Sequence, residues 1–93
     1  MQVVVQKRAE DDAKGIKNKT LIQELLDFIA DAQRCSDVSE LTNYYDFSAL
    51  EGDSSYYRLR IGNYRVGCRV DASQNKIVIM RILHRAEIYQ KFP

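Results

Sequence analysis

Arginine recurs at alternating positions in the middle of this chain: Tyr57-Arg58-Leu59-Arg60-Ile61, then Gly62-Asn63, then Tyr64-Arg65-Val66-Gly67-Cys68-Arg69-Val70. A guanidinium is a planar, permanently charged donor of paired hydrogen bonds, suited to phosphate or carboxylate. Gly-Asn between two alternating runs is the signature of a two-residue β-hairpin loop. That loop sets Ile61 opposite Tyr64, Arg60 opposite Arg65 and Arg58 opposite Gly67. One face then carries Tyr57, Leu59, Ile61, Tyr64, Val66, Cys68 and Val70 and belongs to a core, while the other carries Arg58, Arg60, Arg65 and Arg69. Like charges directly opposite on antiparallel strands are destabilising, so a face with no binding role would more often alternate signs. The missing side chain at Gly67 leaves a hollow beside the guanidiniums, and an anion is its expected occupant. The competing reading is a solvated strand face whose arginines reach into water or pair with acidic residues elsewhere.

A second set of chemically able side chains follows the last apolar run, in Leu83-His84-Arg85-Ala86-Glu87-Ile88-Tyr89. Strand ends place side chains at the rim of a sheet, so His84, Arg85 and Tyr89 are expected to converge on the arginine hollow. A solitary His at a strand end is by itself more often structural. Its company changes that: an imidazole, which exchanges protons near neutral pH, with several guanidiniums and a phenol forms a set suited to phosphate chemistry. Arg69 and Arg81 lie further along the strands and are candidates for flanking phosphates, with solvated strand positions as the alternative.

The elements that must position these groups are legible in outline. Val3 to Val5 reads as a first strand, and Lys7 to Lys14 as a short polar helix ended by Gly15. Leu21, Ile22, Leu25, Leu26, Phe28, Ile29 and Ala32 recur at helical spacing, which predicts a helix from about Thr20 to Arg34 covering a sheet. Thr20 and Gln23 have capping-box spacing. Ser36 to Ser55 reads as a connector with a short helix, ending in a turn over Glu51-Gly52-Asp53-Ser54-Ser55. After the hairpin and a loop near Ala72 to Asn75, Ile77 to Leu83 is apolar on both faces, which predicts a central strand. Its expected neighbours are the second hairpin strand and the N-terminal strand. The order predicts an α+β fold: N-terminal strand and helices packed on one face of a small, mainly antiparallel four-stranded sheet, with the arginine face open.

Ninety-three residues, 45% hydrophobic and 29% charged, suit a single domain over residues 1–93 with one modest core. No apolar run approaches the roughly 20 residues of a membrane helix, so no membrane partner is expected. Met1-Gln2-Val3-Val4-Val5 is followed at once by charge and does not read as a signal peptide; a cytoplasmic location is expected. Cys35 and Cys68 lack Cys-x-x-Cys spacing and there is one His, a poor ligand set for zinc, so no metal and no cofactor are expected. Cys68, on the core face, reads as a buried reduced thiol. The net charge of +1 conceals a division: six basic against eleven acidic residues up to Ser55, then eight against two from Tyr56 onward. The basic half can present a local field to a polyanion despite overall near-neutrality.

Taken together, Tyr57-Arg58-Leu59-Arg60-Ile61-Gly62-Asn63-Tyr64-Arg65-Val66 and the later His84-Arg85-Ala86-Glu87-Ile88-Tyr89 resemble the RelE/ParE superfamily of toxins from bacterial type II toxin-antitoxin systems. The likeness is close from Leu50 to Pro93 and topological before that. It implies a microbial-ribonuclease-like fold and, in the RelE branch, mRNA interferase activity in the ribosomal A site. There the ribose 2′-hydroxyl attacks the adjacent phosphate to leave a 2′,3′-cyclic phosphate and a 5′-hydroxyl, with no metal. By position, the resemblance assigns charge stabilisation to Arg65, a leaving-group role to Arg85, and nucleotide stacking or orientation to Tyr89, as aromatic rings do in RNA recognition. Arg58 and Arg60 stand where well-studied RelE proteins carry lysines, one of them proposed as general base. Arginine does not readily release its proton, so that role passes to His84, with Arg58, Arg60, Arg65 and Arg85 binding phosphate.

The resemblance implies a cognate antitoxin, mRNA and the ribosome as partners, and no independent specific DNA binding. A disordered antitoxin tail that orders on binding would suit a basic sheet beside an apolar groove. Two alternatives remain: a ParE-like inhibitor of DNA gyrase without nuclease activity, and a non-catalytic module that binds RNA or antitoxin. The His-Arg-x-x-x-Tyr segment favours the RelE branch, because a purely protein-binding face requires neither acid-base nor stacking groups.

Overall fold

The chain runs β1 (Gln2–Val5), α1 (Lys7–Lys14), α2 (Lys19–Arg34), α3 (Val38–Tyr44), β2 (Phe47–Leu50), β3 (Asp53–Ile61), β4 (Tyr64–Asp71), β5 (Lys76–His84) and α4 (Ile88–Lys91). This computed structural model describes residues 1–93, apart from the side chains of Asp53 and Ser54. The strands form one sheet in the order β1-β5-β4-β3-β2. β1 runs parallel to β5 and the other neighbours are antiparallel.

The α+β class agrees with the sequence reading, but the sheet has five strands where four were expected. The extra strand is β2, inside the segment read as a connector; of its four residues only Phe47 is buried, too short a pattern for alternation to register. The turn before β3 is likewise shorter than expected, confined to Glu51 and Gly52, with Gly52 at φ 88°. β5 lies between β1 and β4 as expected, while β4 holds the middle of the sheet.

The central hairpin forms in the anticipated register, Arg58 with Gly67, Arg60 with Arg65 and Ile61 with Tyr64. Gly62 takes φ 55°, the left-handed conformation that a tight hairpin turn requires and glycine adopts without steric cost. Leu59, Val66 and Cys68 then meet Leu21, Leu25, Phe28 and Ala32 of α2, with Ile77 and Ile79 of β5. Burying a side chain such as Phe28 or Leu59 stabilises the fold by roughly 1.5–3 kcal/mol. Leu26, expected in the covering stripe, is 52% exposed, because the helix presents only a narrow arc to the sheet. The helix also starts earlier than predicted: Asn18, among the strongest N-cap residues, accepts from Leu21 N at 3.1 Å. The Thr20 and Gln23 capping box does not form, and Gln23 bonds Asp27 instead.

β4 and β5 change register at a bulge: Gly67 pairs with Arg81 and Cys68 with Ile79, leaving Met80 without a counterpart. Helix α1 holds this irregularity. Asp12 accepts from Arg81 Nε at 2.9 Å and Nη2 at 3.1 Å, and from Ile82 N at 2.9 Å. An exposed-looking helix thus contributes the carboxylate that satisfies backbone and guanidinium at the bulge.

The arginine face is not fully open. Leu83, Ile88 and Phe92 form a second, smaller apolar cluster with Leu50, Tyr56 and Met80. The chain after β5 therefore folds back over the sheet face opposite the main helices.

Candidate active site on the arginine face

Strand pairing places Arg60 and Arg65 side by side at the hairpin end, with Arg58 one pleat further in. Arg65 Nη1 donates to the carbonyls of Gly62 at 3.0 Å and Tyr64 at 2.9 Å, so the turn itself orients the guanidinium. Burial, followed by the charges of Arg60, Arg58 and Arg85, lowers the Arg65 pKa, with the Tyr89 phenol opposing. Four guanidiniums and one phenol therefore share one electrostatic neighbourhood. Arginine keeps its proton in such surroundings, so the cost of assembling the charges appears as mutual repulsion, which an anion would relieve. Among the described residues, Arg60 alone of the four reaches a carboxylate, Asp46 at 3.8 Å with both side chains about half exposed, a weak pair.

Arg85 is delivered to the cluster by its backbone, whose N–H donates to Asn63 O at 2.8 Å and ties the segment after β5 to the hairpin turn. Tyr89 arrives on α4. Its phenolic oxygen accepts from Arg58 Nη1, and its ring centroid lies 5.6 Å from Arg58 Cζ, within cation–π range. Tyr89 is 67% exposed, which suits an aromatic ring meant to stack on a base. Arg58 Nε is the buried side-chain donor without a partner among the described residues. Beside it lies a cleft of about 500 Å³ lined by Ala49, Leu50, Glu51, Arg58, Tyr89, Phe92 and Pro93.

The hollow expected at Gly67 is filled by the protein itself. The Phe92 ring lies over Gly67 so closely that a Cβ there would stand 2.6 Å from the ring. With Gly67 covered, the guanidiniums left to meet an anion are Arg65 and the three whose charges act on it, Arg58, Arg60 and Arg85. Phe92 escaped the sequence reading, since nothing in its local pattern distinguishes it from a terminal apolar residue; the bare Gly67 was the one available signal.

The remaining candidates stand apart. Arg81 is bound to Asp12 through two hydrogen bonds, with the two side chains only 12% and 16% exposed, and is spent on structure. Arg69 pairs with Tyr56 across β3, beyond the Phe92 ring that meets Tyr56 edge-on. His84 sits opposite Tyr64 at the end of β5, its ring T-shaped against the Tyr64 ring at 5.6 Å. The pleat turns it toward the Tyr64 side and away from that of Arg65, and its Nδ1 accepts from Ala86 N at 3.2 Å. Among the described residues, no group of three or more His, Cys, Asp or Glu side chains is arranged to hold a metal ion, and no helix is long and apolar enough to cross a membrane.

Helices α1, α2 and α3 on one sheet face and a guanidinium cluster with the phenol of α4 on the other define a small α+β protein whose charge and donor geometry suit phosphate. A family model described as the ParE toxin of the type II toxin-antitoxin system, parDE, matches residues 3–89. Toxin RelE3 of Methanocaldococcus jannaschii is 37% identical over 65 residues, 70% of this chain and 69% of that protein. The RelB-RelE antitoxin-toxin complex from Methanococcus jannaschii contains a chain matching at TM-score 0.78 and 29% identity, with 97% of this chain and 99% of that one covered. A RelE-RelB complex from Pyrococcus horikoshii shares the fold at TM-score 0.72 and 24% identity, covering 94% and 97% of the two chains. The chain belongs to the RelE/ParE superfamily and is a toxin of a type II toxin-antitoxin system.

Proposed function

We propose that this toxin is an endoribonuclease of the RelE kind, cleaving mRNA on the ribosome and so arresting translation. The observation that carries the reading is the grouping of the Arg58, Arg60 and Arg85 charges and the Tyr89 phenol about Arg65, with Arg58 bonded to that phenol and Tyr89 largely exposed. Such a site binds a nucleotide at once through its phosphate and its base.

In the reaction, the ribose 2′-oxygen forms a bond to the adjacent phosphorus while the bond from phosphorus to the 5′-oxygen breaks. The products are a 2′,3′-cyclic phosphate and a 5′-hydroxyl; one proton leaves the 2′-hydroxyl and one joins the departing oxygen. Charge grows on the phosphoryl oxygens in the transition state, where prearranged guanidiniums are most effective. Arg65, already oriented by the turn, is placed to neutralise it, with Arg85 toward the leaving oxygen and Tyr89 holding the nucleotide. Arg58 and Arg60 bind phosphate. Proton exchange is assigned to His84 at the rim through Nε2, since Nδ1 is engaged by Ala86. Arg69 is kept as an outer contact to a flanking phosphate. Arg81 is not, given its engagement with Asp12.

Mapping RNA ends after brief expression tests the reading. Sharp new 5′-hydroxyl ends inside translated frames, absent with Arg65→Ala, are expected. Intact mRNA together with loss of supercoiling by purified gyrase would instead establish the ParE-like alternative, which the family model's name keeps in view. The similar toxins crystallised with RelB partners, so a cognate antitoxin that covers the arginine face is the proposed regulator, supplying whatever DNA recognition the pair has.

A further inference from the structure

An ideal Cβ on Gly67 would stand 2.6 Å from Phe92 Cγ and 2.7 Å from Cδ1 and Cδ2. Carbon atoms in contact sit at about 3.5–4.0 Å, so a methyl at position 67 and this ring exclude each other. Gly67 is not in the left-handed backbone region; its bareness makes room for the ring and serves no turn. Phe92 is 6% exposed, meets Tyr56 edge-on at 5.7 Å and packs with Leu83 and Ile88.

Helix α4 has four residues, far below the length at which a helix persists alone. What holds it is apolar anchorage at both ends, Ile88 at the start and Phe92 just past the finish, with Phe92 N donating to Ile88 O at 2.9 Å. Tyr89 lies between these anchors and is largely exposed. We infer that Phe92 is a positioning residue: seated on Gly67, it fixes α4 so that the Tyr89 phenol stays against the Arg58 guanidinium. Its kinetic consequence rests on the nuclease reading above; the seating itself does not.

Gly67→Ala tests this, because it adds one methyl beneath the ring and alters neither an arginine nor Tyr89. Hydrogen exchange at the Phe92 amide should accelerate while the main core keeps its protection. kcat for RNA cleavage should fall about tenfold or more, as slight misplacement of a positioning group does, with KM little changed because the guanidiniums remain. Phe92→Gly should copy both effects, and Phe92→Leu should restore much of the protection and rate lost in Phe92→Gly. In the Gly67→Ala background, Tyr89→Phe should cost little more. Unaltered Phe92 exchange in Gly67→Ala, or accelerated exchange with wild-type kcat, would overturn the inference. Wild-type protein that cleaves no RNA would sink the nuclease reading separately, and the exchange data would still decide whether Phe92 holds α4. Should Gly67→Ala fail to fold, the Phe92→Gly and Phe92→Leu pair makes the same comparison.

Discussion

The Tyr89 phenol accepts a hydrogen bond from the Arg58 guanidinium across 31 positions of sequence, joining the short helix after the sheet to the central hairpin. That contact brings two separate sequence motifs together. Arg58, Arg60 and Arg85 act on Arg65 by charge, whereas Arg81 is engaged by Asp12.

Arg65→Ala should separate function from stability. Loss of transition-state charge stabilisation is expected to lower RNA cleavage on the order of 10²–10³-fold. The same change relieves repulsion from Arg60 and Arg58, so the thermal midpoint should hold or rise slightly. Single-turnover cleavage on programmed ribosomes and calorimetry check the two arms; a large fall in midpoint would mean Arg65 is structural.

Salt dependence should count the phosphate contacts. For a single-stranded ligand, each lost contact reduces the slope of log K against log salt by about 0.7. Arg60→Ala and Arg65→Ala are each expected to do so, whereas Arg81→Ala should leave the slope alone and lower stability. Equal slopes for all three variants would disperse the proposed cluster.

His84→Gln should abolish cleavage and spare ribosome binding if His84 carries the proton. The glutamine keeps a polar group of similar reach at the rim beside Tyr64. Cleavage at the wild-type rate would remove His84 from the mechanism and leave it a structural role through Tyr64 and Ala86.

Asp12→Asn should destabilise by about 2 kcal/mol, because it removes the charge and one of the two oxygens that accept from Arg81 and Ile82 in a site sheltered from water. Burial raises the Asp12 pKa, but the bonds from Arg81 and Ile82 outweigh it, leaving the folded value below the ordinary one. The folded protein therefore binds fewer protons there than the unfolded chain. This stabilisation is present above about pH 4 and drains as pH falls toward the folded pKa. Acid unfolding followed by circular dichroism should be less steep in the variant than in wild type.

Tyr45 provides a test at the alkaline end. Burial and a hydrogen bond to Asp31 push its pKa to about 12. Here the folded value is raised, so the stabilisation is intact below the unfolded value near 10 and is lost as pH climbs through 12. Tyr45→Phe should flatten the decline in stability above pH 10, measured by urea unfolding at successive pH values.

The hairpin was legible residue by residue because its information is local. Gly62-Asn63 dictates the turn, and period-two alternation then assigns Arg58, Arg60 and Arg65 to one face and Leu59, Ile61 and Val66 to the other. The stripe of Leu21, Leu25, Phe28 and Ala32 announced its helix for the same reason, while the competition between Asn18 and Thr20 for its first turn was settled by which side chain reaches a free N–H. β2 stayed hidden because four residues with one buried side chain carry no period; Phe47, Ser48 and Ala49 enter the sheet by pairing with Leu59, Arg58 and Tyr57 of β3.

By itself the sequence determined the arginine face, the spacing of its two motifs and the basic second half. These follow from side-chain type and from periodicities that every strand and helix obeys. Only the tertiary structure decided which of the candidate groups lie near one another. Asp12 withdraws Arg81 and the pleat turns His84 toward Tyr64, while Phe92 takes the hollow at Gly67 that had been reserved for an anion. Each outcome depends on a residue distant in the chain, and a contact between distant residues leaves no trace in the pattern around either one.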